Sequence, residues 1–151
     1  MYIFYALLGA IAASLGTIFA KLGLKDIDAD FLTAVRGIVM AVIVSLFAVS
    51  FGKLSVVNLH SLSLKHWIFV IISGLGGALS WLFFYQALAV GPIVSVTVID
   101  KLSLVFTVFF AIIIFAEGIT LQAGLGLLLI IIGTLLVVIP ALGERIIKLF
   151  F

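Results

Sequence analysis

Five stretches of this chain, residues 2–20, 31–51, 66–88, 93–115 and 121–139, are each apolar for about the 20 residues that a bilayer crossing requires. Hydrocarbon contains no water to satisfy free backbone N–H and C=O groups, so only helices and closed barrels can span it. The runs lack the in–out alternation of barrel strands. The expected fold is therefore an all-α membrane protein, a bundle of five transmembrane helices. Eight basic and six acidic residues among 151, with a mean hydropathy of +1.56, leave too little polar surface for a water-soluble domain. The lipid bilayer is its solvent.

The connections support that division. Residues 21–30 are polar and carry three aspartates, and 52–65 is the longest loop. Gly91-Pro92 separates the third span from the fourth, and Glu117-Gly118 the fourth from the fifth. Pro140 and Gly143 end the last span before a basic tail containing Arg145 and Lys148. Residues 1–151 read as a single transmembrane domain. No basic segment precedes the first apolar run, so it reads as a span and not as a cleaved signal peptide. The cations sit singly at the ends of apolar runs, which is the pattern of a membrane protein and not of a nucleic-acid surface. There is no cysteine, hence neither a disulfide framework nor a thiolate metal site. Lys21, Lys25, Arg145 and Lys148 fall on one side, and Lys53 and Lys65 on the other. This excess places the C-terminus in the cytoplasm and the N-terminus outside a cytoplasmic membrane. The bias is weak enough to allow insertion both ways round.

Asp100 and Lys101 are adjacent within the fourth run. A charge at the centre of a membrane helix costs about 2.5–3.5 kcal/mol on insertion scales, so such residues commonly mark a functional site. Steps of 100° place Thr97, Asp100, Ser103 and Thr107 on one stripe, with Lys101 on its flank. Asp100 lies about 10 Å in from the Gly91-Pro92 end. Two readings are open: a cavity that binds substrate or a coupling ion, or an ion pair that holds helices together while the hydroxyls bond back to their own carbonyls. Arg36, about 7–8 Å into the second span, either snorkels to the interface or binds an anionic group. The first span carries Gly9, Ala12, Ala13, Gly16 and Ala20 on one side, and the third carries Ser73, Gly77, Ser80 and Trp81. Small residues let membrane helices approach closely. Trp81, Tyr85 and Gln86 would suit an amphipathic or cationic molecule if they line a cavity.

Enzyme chemistry finds little support. His60 and His66 lie at the membrane edge, no His–Glu metal pattern occurs, and no cofactor motif stands in context. Gly74-Leu-Gly-Gly follows no strand and lacks the last glycine of a dinucleotide loop.

From Trp81-Leu-Phe-Phe-Tyr85-Gln86-Ala87-Leu88 onward the chain resembles the EamA-type drug/metabolite transporters, in particular their short five-helix bacterial and archaeal branch. The resemblance continues through Gly91-Pro92, Ser95, Val98-Ile99-Asp100-Lys101-Leu102-Ser103 and Glu117 to Gly126 and Gly133-Thr134-Leu135. Arg36 falls where that family tends to carry an arginine. Two departures stand out. Gln86 takes a place where relatives often look basic, and the first helix lacks the acidic residue of the small multidrug resistance relatives. Any coupling carboxylate would then be Asp100.

The resemblance implies half of a ten-helix inverted-repeat architecture, with substrate held between the halves. It also implies an exporter of a small metabolite or drug-like molecule. The chain would act by alternating access with a second copy, antiparallel or parallel, or with a related half-transporter. Asp100, Lys101, Arg36, Ser103, Thr97, Trp81, Tyr85 and Gln86 are the candidate substrate or ion ligands. Gly126 and Gly133, seven residues apart and so about 20° from each other, share a face with Ile130. The small multidrug resistance proteins use a similar glycine spacing in their last helix for dimerisation, so these three are the candidate dimer interface. The competing function is a non-transporting membrane subunit or assembly factor whose charges are structural.

The cation count yields a topology test. Single cysteines at Asn58 and Gly23 are expected to label from opposite sides of sealed cells. Labelling of both from one side only would refute the span assignment, and partial labelling of each from both sides would reveal dual insertion.

Overall fold

The computed structural model describes residues 1–54, 62–116 and 118–139. His60, Glu117, Pro140, Gly143, Arg145 and Lys148 lie outside the described residues. The described chain is helical, with α1 Tyr2–Gly23, α2 Ala29–Ser50, α3 Leu64–Val90, α4 Ile93–Asp100, α5 Leu102–Phe115 and α6 Leu121–Val138. Five helical segments are long and apolar enough to cross a membrane, α4 and α5 together making one of them. The protein is thus a multi-pass, all-helical membrane protein, as its apolar runs require.

Residues 1–90 form one compact unit. A tight turn ends α1, with Leu24 N–H donating to Ala20 O at 2.9 Å and Ile27 N–H to Gly23 O at 3.1 Å. The Asp28 carboxylate then caps α2, accepting from the N–H groups of Asp30 and Phe31 at 3.0 Å each. That cap satisfies two otherwise orphaned donors and starts α2 ahead of its apolar run. At the far end, Gly52 at φ +64° closes α2. Its N–H bonds Val49 O at 2.9 Å, and Lys53 N–H bonds Ala48 O at 2.8 Å. This paired pattern needs a left-handed residue, a conformation glycine adopts without a Cβ penalty.

α3 packs against both α2 and α1. The side-chain ammonium of Lys21, at the end of α1, donates to the Leu88 carbonyl in the last turn of α3. That carbonyl has no partner within its own helix, and a cation there also meets the negative end of the helix dipole. The four buried residues of this unit, Ala20, Thr33, Tyr85 and Leu88, come from the end of α1, the start of α2 and the end of α3. Most other side chains of the unit are exposed and apolar, as lipid-facing helices should be.

The described residues from Gly91 onward form the second unit. Here the structure departs from the single continuous helix expected over 93–115. Helical pairing tightens at Lys101, whose N–H bonds Val98 O at 3.1 Å while Leu104 N–H bonds Lys101 O at 3.1 Å. Both are three-residue bonds, so one tight turn divides the span into eight-residue α4 and 14-residue α5. No proline or glycine explains the break. The local sequence favours helix only weakly here: six of the eight residues of α4 are β-branched, and Asp100 is a poor helix former. α6 packs on both pieces. Its buried Thr134 hydroxyl lies 2.8 Å from Ile130 O and 3.5 Å from Val98 O, the carbonyl at the turn.

Candidate functional site

In the first unit, Arg36 lies against aromatic side chains of α3. Its guanidinium carbon lies 5.4 Å from the Trp81 ring centre and 5.0 Å from that of Tyr85. The helix geometry makes this possible: Trp81 and Tyr85 are four residues apart, on one face of α3. Tyr85 is 1% exposed, so its ring is a fixed wall. On the other side, a Cβ added to Gly16 of α1 would stand 3.2 Å from an Arg36 terminal nitrogen. The small-residue face of α1 thus makes room for an arginine as well as for a helix. A cation on an aromatic face gains about 0.5–2 kcal/mol, which offsets part of its desolvation.

Beside this stack, a groove of about 540 Å³ runs between α2 and α3. Thr33, Ala34 and Gly37 line it from α2, and Gly74, Ala78 and Trp81 from α3. Trp81 is shared by groove and stack. The Thr33 hydroxyl donates to Ala29 O at 2.7 Å, leaving the groove walls essentially apolar. Gln86, expected at a cavity, instead donates from its side-chain amide to Asp30 at 2.9 Å, where both are exposed.

In the second unit, the Lys101 ammonium meets the Asp100 carboxylate at 3.1 Å, directly at the turn between α4 and α5. The side chains remain 55% and 35% exposed, respectively. Thr97 lies one turn before Asp100 on α4, and Ser103 lies in the first turn of α5. The Thr107 hydroxyl donates to the Ser103 carbonyl at 2.8 Å, the self-satisfying arrangement open to a membrane threonine. The structure therefore brings Arg36, Trp81 and Tyr85 together in one unit, and Asp100 with Lys101 in the other. On α6, Gly126, Ile130 and Gly133 are half-buried. A Cβ on either glycine would meet nothing within 4 Å. Thr134, on the buried side, lies about 80–100° round the helix from them.

The groove was missed in the sequence, although Gly74, Gly77, Ala78 and Trp81 follow helical spacing and mark one face. The Asp30–Gln86 contact carries no local signal, since 56 residues separate the two.

The family model for the EamA-like transporter family matches residues 1–139. An uncharacterized transporter in the cobO 3′ region of a Sinorhizobium species is 32% identical over 136 residues. That match covers 90% of this chain and 95% of the relative. No solved structure matches the chain.

The stack predicts an asymmetry at position 85. Tyr85→Phe keeps the ring face under Arg36 and is expected to change the detergent melting temperature little. Tyr85→Leu removes it, stranding a partly desolvated guanidinium at a cost of about 1–2 kcal/mol, read as a clear drop in melting temperature. Equal melting of the two variants would refute a stabilising stack.

Proposed function

The chain belongs to the EamA-like transporter family, and we propose that it works as half of an exporter, pairing with a second copy to move a small metabolite or drug-like molecule by alternating access. The observation that carries this reading is the ion pair at the broken fourth span. Asp100 and Lys101 satisfy each other, yet both remain substantially exposed within a 23-residue segment long enough to cross the bilayer. Facing lipid, such charges are costly; facing a hydrated passage, they are not.

Five spans put the two ends of one chain on opposite membrane faces. We take the inverted second half to come from a copy inserted the other way, which the weak cation bias allows, or from a related half-transporter. The relative in the cobO 3′ region is barely longer than the aligned region, so it too has the length of one such unit. We place the protein in the cytoplasmic membrane, with the N-terminus outside and the C-terminus inside in the favoured orientation. The open glycine face of α6, with Gly126, Ile130 and Gly133, supports a contact to the partner copy. Close backbone approach is the main attraction available between helices already in lipid.

Substrate-driven uptake or counterflow in reconstituted vesicles tests the function. Asp100→Asn is expected to abolish or uncouple transport while the protein remains folded. Lys101→Ala is expected to impair folding at least as much, because it leaves the carboxylate without its cation at a cost of up to about 3–5 kcal/mol in a fully buried setting. A well-folded Asp100→Asn, Lys101→Met double variant that still transports would show that the pair is structural only.

Assembly is tested separately. Gly126→Val with Gly133→Val is expected to convert a detergent-solubilised dimer to monomer with helicity intact by circular dichroism. An unchanged dimer would place the interface on another face.

A further inference from the structure

We propose that the Arg36–Trp81–Tyr85 stack and the adjoining α2–α3 groove bind an amphipathic monocarboxylate, its carboxylate on Arg36 and its apolar body in the groove. This rests on the transporter reading above and narrows its substrate class.

Aromatic side chains alone would equally suit a cationic ligand. The structure removes that choice, because Arg36 itself lies over both rings at 5.4 and 5.0 Å. A second cation would meet a positive charge there. The guanidinium carries five N–H donors in a fork that matches a carboxylate. Ring faces attract its charge but accept these donors poorly, and no oxygen among the described residues takes them up. Asp30, on the same helix, is engaged by Gln86.

Depth separates a substrate from a lipid headgroup. Arg36 lies about 5 Å from the midpoint of the 22-residue α2, and Trp81 about 6 Å from that of α3. Lipid phosphates sit beyond the hydrocarbon boundary, about 15 Å from the bilayer centre. An anion reaching Arg36 has therefore to enter between the helices. The body of that ligand follows from the groove. At about 540 Å³ it is in the size range of small-molecule sites, and its small residues and shared Trp81 wall offer apolar contact without a second charge. One cation and an apolar wall fit a single carboxylate on a hydrocarbon or aromatic body better than a polyanion or a sugar.

The chain has two tryptophans, so Trp67→Phe leaves Trp81 as the sole reporter. In nanodiscs of zwitterionic lipid, 4-phenylbutanoate is expected to change Trp81 fluorescence saturably, with binding at least tenfold weaker for 4-phenylbutanamide and 4-phenylbutylamine. Arg36→Gln is expected to weaken it at least tenfold. Gly37→Leu places a branched side chain in the groove that Gly37 lines, keeps the guanidinium itself, and is expected to do the same. Absence of carboxylate binding, equal binding of the amine or amide, or binding that survives both substitutions would overturn the proposal. So would a phosphatidylglycerol-dependent signal that 4-phenylbutanoate does not displace, which would mark a lipid site. Flux separates the two readings. Carboxylate binding without transport in vesicles would sink the transporter reading alone, whereas transport of an amine without carboxylate binding would sink this inference alone.

Discussion

A charge or free hydrogen-bonding group in hydrocarbon has to be met by something other than water, and the polar positions of this protein are arranged around that requirement. Lys21 is spent on the orphaned carbonyl of Leu88. Thr33 and Thr107 return their hydroxyls to their own helices. Thr134 shares its hydroxyl between its own helix and the turn at Lys101. Two of these are local and two join neighbouring helices, and all four meet a polar group without water.

The two charged sites within the spans are resolved differently, and the difference bears on what they do. At Arg36 the charge is met by aromatic faces, which accept its N–H groups poorly. Charge is compensated while directionality is left over, a condition suited to recognising a planar anion. At Asp100 and Lys101 both charge and hydrogen bonding are satisfied within the pair, but the pair itself remains exposed. What it lacks is cover. On the proposed function, the first arrangement would serve a ligand, and the second a hydrated passage or a protein surface brought against it.

Most of the architecture was legible in the sequence because hydropathy over about 20 residues directly reports the cost of crossing lipid. The five spans appear where the apolar runs lie. Their ends shift by a few residues, since capping decides them: Asp28 draws the start of α2 back to Ala29, ahead of the apolar run. The break at Lys101 was invisible to hydropathy, which counts side chains and not backbone pairing. Its signal was the β-branched run in Ile93–Asp100, a weak prior that tertiary contacts often override. At the site, the residue types were legible and their partners were not. Arg36, Trp81 and Tyr85 all stood out, but only the packing of α2 on α3 shows that the rings hold the protein's own cation. Gln86 was assigned to a cavity from its neighbours, and its contact with Asp30 depends on a pairing 56 residues distant.

Gly16 shows how a single position couples packing to recognition. In a membrane, a glycine on a helix face ordinarily serves backbone approach. Here the space its missing Cβ leaves is taken by an Arg36 nitrogen at the 3.2 Å margin. Three helices therefore define one guanidinium: α2 supplies it, α3 supplies the ring faces, and α1 limits its movement on the remaining side. A group bounded by α3 on one side and α1 on another is pre-organised, so a ligand that engages it has less side-chain freedom to freeze on binding. In the proposed transport cycle, a movement of α1 away from α2 would relieve this limit at Gly16 and so change how Arg36 holds the proposed anion.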